Sequence, residues 1–195
     1  MASRKITATD ILPIDEYVKI RKTRKAELRA IKKDRRAQIG PDCSAYFECY
    51  DTMLQQIQEM LFIEKGGAEQ LVDELAAYNP LVPNGRELVT TVMFEIDDEI
   101  RRSKFLAGLG GIEETMFMEF AGERIKGLPE EDVDRTNADG KASSVQFIHF
   151  PFTDAQAVKF KQTDCKVVLG FDHDRYGHML SLPAATHASL AGDLD

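Results

Sequence analysis

Cysteine is scarce in this chain and poorly placed for either of its structural uses. Cys43, Cys49 and Cys165 form an odd set without C-x-x-C spacing, which argues against a disulfide scaffold and against a thiolate zinc site. Reduced thiols in a cytoplasm are the simpler expectation. On one helix Cys43 and Cys49 would differ in height and face, so an intrahelical disulfide is excluded geometrically. Long apolar runs are also missing. No stretch of 18 apolar residues exists, and residues 1–15 lack the apolar centre of a signal peptide, so the expectation is a cytoplasmic protein without a membrane span. There is no G-x-G-x-x-G after a strand, no Walker A loop and no G-x-S-x-G elbow. Gly108-Leu109-Gly110-Gly111 follows a helical pattern and reads as a helix stop. No histidine adjoins a cysteine in sequence, so a Cys-His nucleophile has no basis.

What the chain does have is a strong charge asymmetry. Residues 19–36 hold ten Lys or Arg against Glu27 and Asp34. With that block at +8 and the whole chain at −8, the remainder sums to −16. One surface can therefore attract an acidic partner while the body repels it. The acidic body argues against nucleic-acid binding outside the block, and no aromatic residues interleave with the cations to stack on single strands. The candidate docking residues are Arg29, Lys32, Lys33, Arg35 and Arg36; the plain alternative is a solvated helix face. A content of 43% hydrophobic and 30% charged residues over 195 positions suits one globular domain that buries about 70% of its unfolded surface.

The order of elements is helices first. Residues 8–39 read as a capped turn and a long helix stopped by Gly40-Pro41. Residues 44–65 carry the strongest helical stripe, Phe47, Tyr50, Leu54, Ile57 and Leu61. A short helix over 68–78 ends at Asn79-Pro80. Residues 88–96 read as a strand, 97–109 as a helix capped by Asp97, and residues 115–126 as a hairpin around Ala121-Gly122. An acidic loop over 128–140 precedes a strand at 145–152 and a helix capped by Thr153. Residues 166–171 and 176–182 read as paired strands, and Pro183 starts a last helix. This predicts an α+β fold, N-terminal helices packed on a mostly antiparallel sheet with interspersed helices, in a single domain over 1–195. Residues 1–84 form its helical part and 85–195 its α+β part.

The histidines carry the sharpest chemical expectation. His173 and His178 are spaced H-x4-H, with Asp172 and Asp174 flanking the first ring. Imidazole and carboxylate suit iron, manganese, zinc or nickel, and a neighbouring Asp can fix the tautomer. His149, Glu48 or Glu64 would complete the shell, with Asp172 orienting a ligand from behind. The plain alternative is a set of ordinary turn and edge residues. Glu48, Asp51, Gln55 and Glu59 recur at helical spacing away from the apolar stripe and read as a solvated face, while Glu64 extends the apolar side. The paired Glu-x-x-His of di-iron bundles is absent.

Several stretches resemble a known family: Phe47-Glu48 with Asp51-Thr52, Gln56 to Leu61, Glu74 to Pro80, Asp134 to Asn137, and Asp172-His173 with Tyr176 and His178. They are similar to an uncharacterised bacterial domain family without an assigned activity. Its members are often encoded near rubrerythrin-like and iron–sulfur reductase proteins. The resemblance implies a link to iron or peroxide metabolism and a rubrerythrin-like or iron–sulfur redox partner. Two expectations follow. One is a mononuclear non-haem metal centre, iron preferred, in redox or oxidative-stress chemistry, with a metal-dependent oxidoreductase as one outcome. The other is a non-catalytic adaptor that docks an acidic redox partner or nucleic acid through residues 19–36.

Overall fold

The computed structural model describes residues 4–130, 135–138, 140–162, 164 and 166–195. Helix α1 (Ile14–Lys33) is followed by a strand hairpin, β1 (Arg36–Ile39) and β2 (Cys43–Phe47), and then by helices α2 (Tyr50–Glu64) and α3 (Gly67–Tyr78). Strand β3 (Glu87–Phe94) and helix α4 (Glu99–Leu106) come next, then strands β4 (Met116–Phe120), β5 (Glu123–Lys126) and β6 (Leu128–Pro129). Strand β7 (Val145–Pro151), helix α5 (Asp154–Phe160), strands β8 (Val167–Phe171) and β9 (Met179–Ser181) and helix α6 (Ala184–Ala191) complete the order. The strands form two antiparallel sheets, β1-β2-β3-β7-β6 and β5-β4-β8-β9. The α+β expectation is met.

The helical reading of residues 36–39 and 44–47 is corrected; the break at Gly40-Pro41 stands. Arg36, Ala37, Gln38 and Ile39 alternate between exposed and buried, which is the period of a strand and not of a helix. Gly40 has φ +69° and makes the hairpin turn; a Cβ there would lie 2.6 Å from the His178 ring. Arg36 therefore lies on β1, and Cys43 lies on β2 while Cys49 caps α2. The hairpin pairs with β3, so both the N-terminal and the C-terminal parts supply strands to the five-stranded sheet. The smaller hairpin behaves as the sequence suggests: Ala121 (φ 46°) and Gly122 (φ 75°) are both left-handed, as a type I′ turn requires. The cap of α4 is Asp98 and not Asp97, and it accepts from the Arg101 amide at 2.6 Å.

The main core lies between the sheets. Phe47, Leu88, Ile148 and Phe150 of one sheet meet Met116, Met118 and Leu169 of the other, all nearly inaccessible to water. A second cluster joins Met53, Ile57 and Leu61 of α2 to Val89 of β3 and to Leu81. Burying a side chain such as Ile57 contributes about 1.5–3 kcal/mol. Helix α1 seats on the opposite side of α2 through Glu59, which accepts from Arg21 at 2.7 Å on each oxygen, pairs with Lys25 at 3.0 Å and accepts from the Tyr17 hydroxyl. The set read as a solvated face is thus partly a helix–helix seam: Gln55 is buried and Glu59 is clamped. Arg21, then Tyr17 and Lys25, hold the Glu59 carboxyl down at about 2 against the opposing pull of burial.

Candidate functional site

The alternation of strands places Tyr46, Thr91 and Phe147 side by side on the helix-facing side of the large sheet, because Tyr46 pairs with Thr91 and Thr91 with Phe147. Met93 and Val145 are the next pair along that face. The N-terminal half of α2, Tyr78 at the end of α3, and Lys32 near the end of α1 stop short of covering it. A cavity of about 260 Å³ results. Lys32 is the exposed residue of its wall, which places it at the mouth.

Glu48 forms part of this wall and is 7% exposed. It sits in the link between β2 and α2, and its backbone is fixed on both sides. Its amide donates to Val89 O at 2.8 Å, and its carbonyl accepts from the Arg35 guanidinium at 2.8 Å. The carboxylate accepts from the Thr91 hydroxyl on Oε1 and the Thr52 hydroxyl on Oε2, each at 2.6 Å. Among the described residues no cationic side chain forms an ion pair with it. Hydrogen-bonded but without an ion-pair partner, it is the one acid among the described residues of the cavity wall.

The rim is polar and connected. Glu95 accepts from Tyr46 at 3.0 Å, from Ser44, and from Arg36 at 3.2 Å. Ser44 is the largest influence lowering the Glu95 carboxyl, against burial. The Arg36 guanidinium lies 5.4 Å from the Tyr46 ring centre and that of Arg135 lies 4.7 Å from the Phe147 ring centre. The Arg135 Nε is buried without a hydrogen-bond partner among the described residues. Farther along β7, His149 bonds Glu87 through Nδ1 at 3.0 Å and Glu130 through Nε2 at 2.5 Å. Burial pulls this imidazole down in pKa, but the two carboxylates outweigh it and the net direction is up.

The residues expected to share a metal lie in separate places. His149 is on the large sheet, with both ring nitrogens engaged by carboxylates on opposite edges. His173 is in the turn after β8; its Nδ1 accepts from the Arg175 amide at 3.2 Å and its Nε2 lies 3.4 Å from Gly110 O. The His178 ring instead packs on Tyr176, 4.5 Å between centres, beside Gly40. Asp172 pairs with Arg124 at 2.9 Å rather than backing an imidazole. Glu64 is exposed at the end of α2 and accepts from Gln70. Among the described residues, no group of three or more His, Cys, Asp or Glu is placed to hold one ion.

The docking set divides. Arg29, Lys32 and Lys33 are exposed. Arg35, expected on the same solvated arm, is 4% exposed and ion-paired with Asp193, with further bonds to the carbonyls of Phe47 and Glu48. Its charge is spent inside the fold because the helix ends before it. Cys165 lies outside the described residues, as does Asp134 of the family-like stretches. The sequence reading missed Thr52, Thr91, Tyr46, Tyr78 and Phe147. Paired threonines in the otherwise apolar run Val89–Phe94 were the available signal, since alternation must send one hydroxyl to each face.

A larger and more open groove, about 760 Å³, runs between the N-terminal segment and α3. Its acid, Glu87, is already engaged by His149, so the groove offers less directed chemistry than the Glu48 cavity. Among the described residues, no helix is long and apolar enough to cross a membrane.

Comparison with known proteins places these features in a family. A crystal structure of a novel protein of unknown function from Burkholderia pseudomallei K96243 is similar, with a TM-score of 0.90 and 36% identity, covering 98% of this chain and 100% of that one. None of the curated proteins matches. Residues 5–194 match the family described as protein of unknown function (DUF3501), and the chain belongs to that family.

Proposed function

We propose that this chain binds a small organic molecule in the cavity walled by Glu48, Thr91, Tyr46 and Phe147. The observation that carries the reading is a buried carboxylate, held by two hydroxyls and without an ion-pair partner among the described residues, facing a partly apolar space. Cavities of this kind, apolar with a few fixed polar groups, are the usual form of a ligand site. The test is thermal unfolding against a fragment collection, with Met93→Trp as a variant that fills the space. Stabilising fragments that lose their effect in the variant support the reading. A collection that never shifts the wild-type transition sinks it.

A second reading, docking of an acidic partner, is favoured by one observation: Arg29, Lys32 and Lys33 are exposed on the same stretch of α1 and form no ion pair among the described residues. Partner binding through them would weaken as salt rises; salt-independent binding would count against it. The redox-iron reading requires His173 and His178 to turn toward a common point. Elemental analysis tests it, since stoichiometric metal lost from His173→Ala and His178→Ala is its expected result and an absence of metal in freshly isolated protein would remove it.

A further inference from the structure

The chemistry of the wall narrows what could occupy the cavity. A carboxylate offers about four acceptor positions; Thr52 and Thr91 occupy two of them. Both are neutral donors, and among the described residues no cation forms an ion pair with the Glu48 carboxylate. Around it stand the rings of Tyr46, Tyr78 and Phe147 and the thioethers of Met53 and Met93. Aromatic faces attract cations through their quadrupole, and methionine sulfur is polarizable and adapts to flat apolar bodies. A bound anion would instead face the largely buried Glu48 carboxylate at close range, where like charges repel. A neutral alcohol could hydrogen-bond but would leave the carboxylate without an ion-pair partner. Three cations oppose a cationic ligand: Lys32 on the solvent side, where salt screens its repulsion, and the rim guanidiniums of Arg36 and Arg135, which already lie against the Tyr46 and Phe147 rings but make no ion pair with Glu48 among the described residues.

We propose that the ligand is a small organic cation, a primary amine on a compact apolar body, with its ammonium on the Glu48 carboxylate and its body between Phe147 and the two methionines. This rests on the cavity being the binding site, and the experiment separates the two claims. The full chain, labelled at its methionine methyl groups, is titrated with benzylamine, benzyl alcohol and benzoate and followed by NMR. Benzylamine is expected to move the Met53 and Met93 signals and to bind at least about tenfold more tightly than benzyl alcohol, with benzoate weaker still. Glu48→Gln keeps the shape and should erase the preference for amine over alcohol. If alcohol or benzoate moves those methyl groups as well as the amine does, or if the preference survives in Glu48→Gln, the cation assignment falls while the cavity remains a site. If none of the three moves them, both claims fall. The wild-type comparison decides the matter even if the variant does not fold.

Discussion

The two faces of the five-stranded sheet are built from the same strands and have opposite characters. The face toward the second sheet carries Ala45, Phe47, Leu88, Val92, Ile148 and Phe150, all essentially inaccessible, with Thr90 and Gln146 as its polar members. The face toward the helices carries Tyr46, Thr91, Met93, Phe147 and His149, and three of these five are connected by hydrogen bonds to Glu95, Glu48, Glu87 or Glu130. The first face holds the fold together. The second is only partly covered, since α2 seats on Val89 and leaves the cavity beyond it. A strand with period two can thus serve stability on one side and recognition on the other, and the two can be perturbed separately.

The largest effect should come from the dry face. Phe150→Ala removes a fully buried ring and should cost about 3–5 kcal/mol in denaturant unfolding; a loss below about 1 kcal/mol would mean that the intersheet contact contributes little. Next is the seam that holds α1 beside the cavity. Glu59→Gln should cost about 1.5–3 kcal/mol at neutral pH, from weakened bonds to charged partners. Because the folded pKa of Glu59 is lowered from 4.5 to about 2, its contribution is present above 4.5 and disappears as pH falls toward 2. Wild type and variant should converge over that window in a series of thermal melts; parallel curves would contradict the clamp.

His149 should act in the opposite direction and more weakly. Its folded pKa lies above the ordinary 6.5, so its contribution is complete below that value and is lost as pH rises through the folded pKa. The melting temperature of wild type should fall from about pH 6 to about pH 9 more than that of His149→Gln does. The smallest effect belongs to the rim. Lys32→Ala with Lys33→Ala should change stability by no more than about 0.5 kcal/mol, while any salt-sensitive binding to an acidic partner should weaken. A large destabilisation would show that these lysines carry structural contacts.

Much of the architecture was legible along the chain because its cues are local. The Tyr50–Leu54–Ile57–Leu61 part of the stripe, the Ala121-Gly122 turn, the Thr153 cap and the strand readings at 88–96 and 145–152 specify their elements through periodicity and backbone preference, to within two residues at the strand ends. Residues 36–39 and 44–47 were misread as helix because four or five alternating residues are too few to compete with a long helical pattern on each side. Glu48 was singled out on helical spacing, yet it lies before α2, and its importance comes from burial.

What the sequence determined by itself is the inventory and the local geometry: a basic first helix, an acidic body, alternating strands and the α+β order. Only the tertiary structure decided which charges face water. Arg29 and Arg35 are six residues apart in one basic block, but one is exposed and the other is buried against Asp193. Glu48, Thr91 and Phe147 come from segments separated by more than forty residues, and strand pairing brings them to one wall. Helical and strand periods act over a few residues, whereas burial and charge compensation depend on chain segments that meet only when the sheet closes.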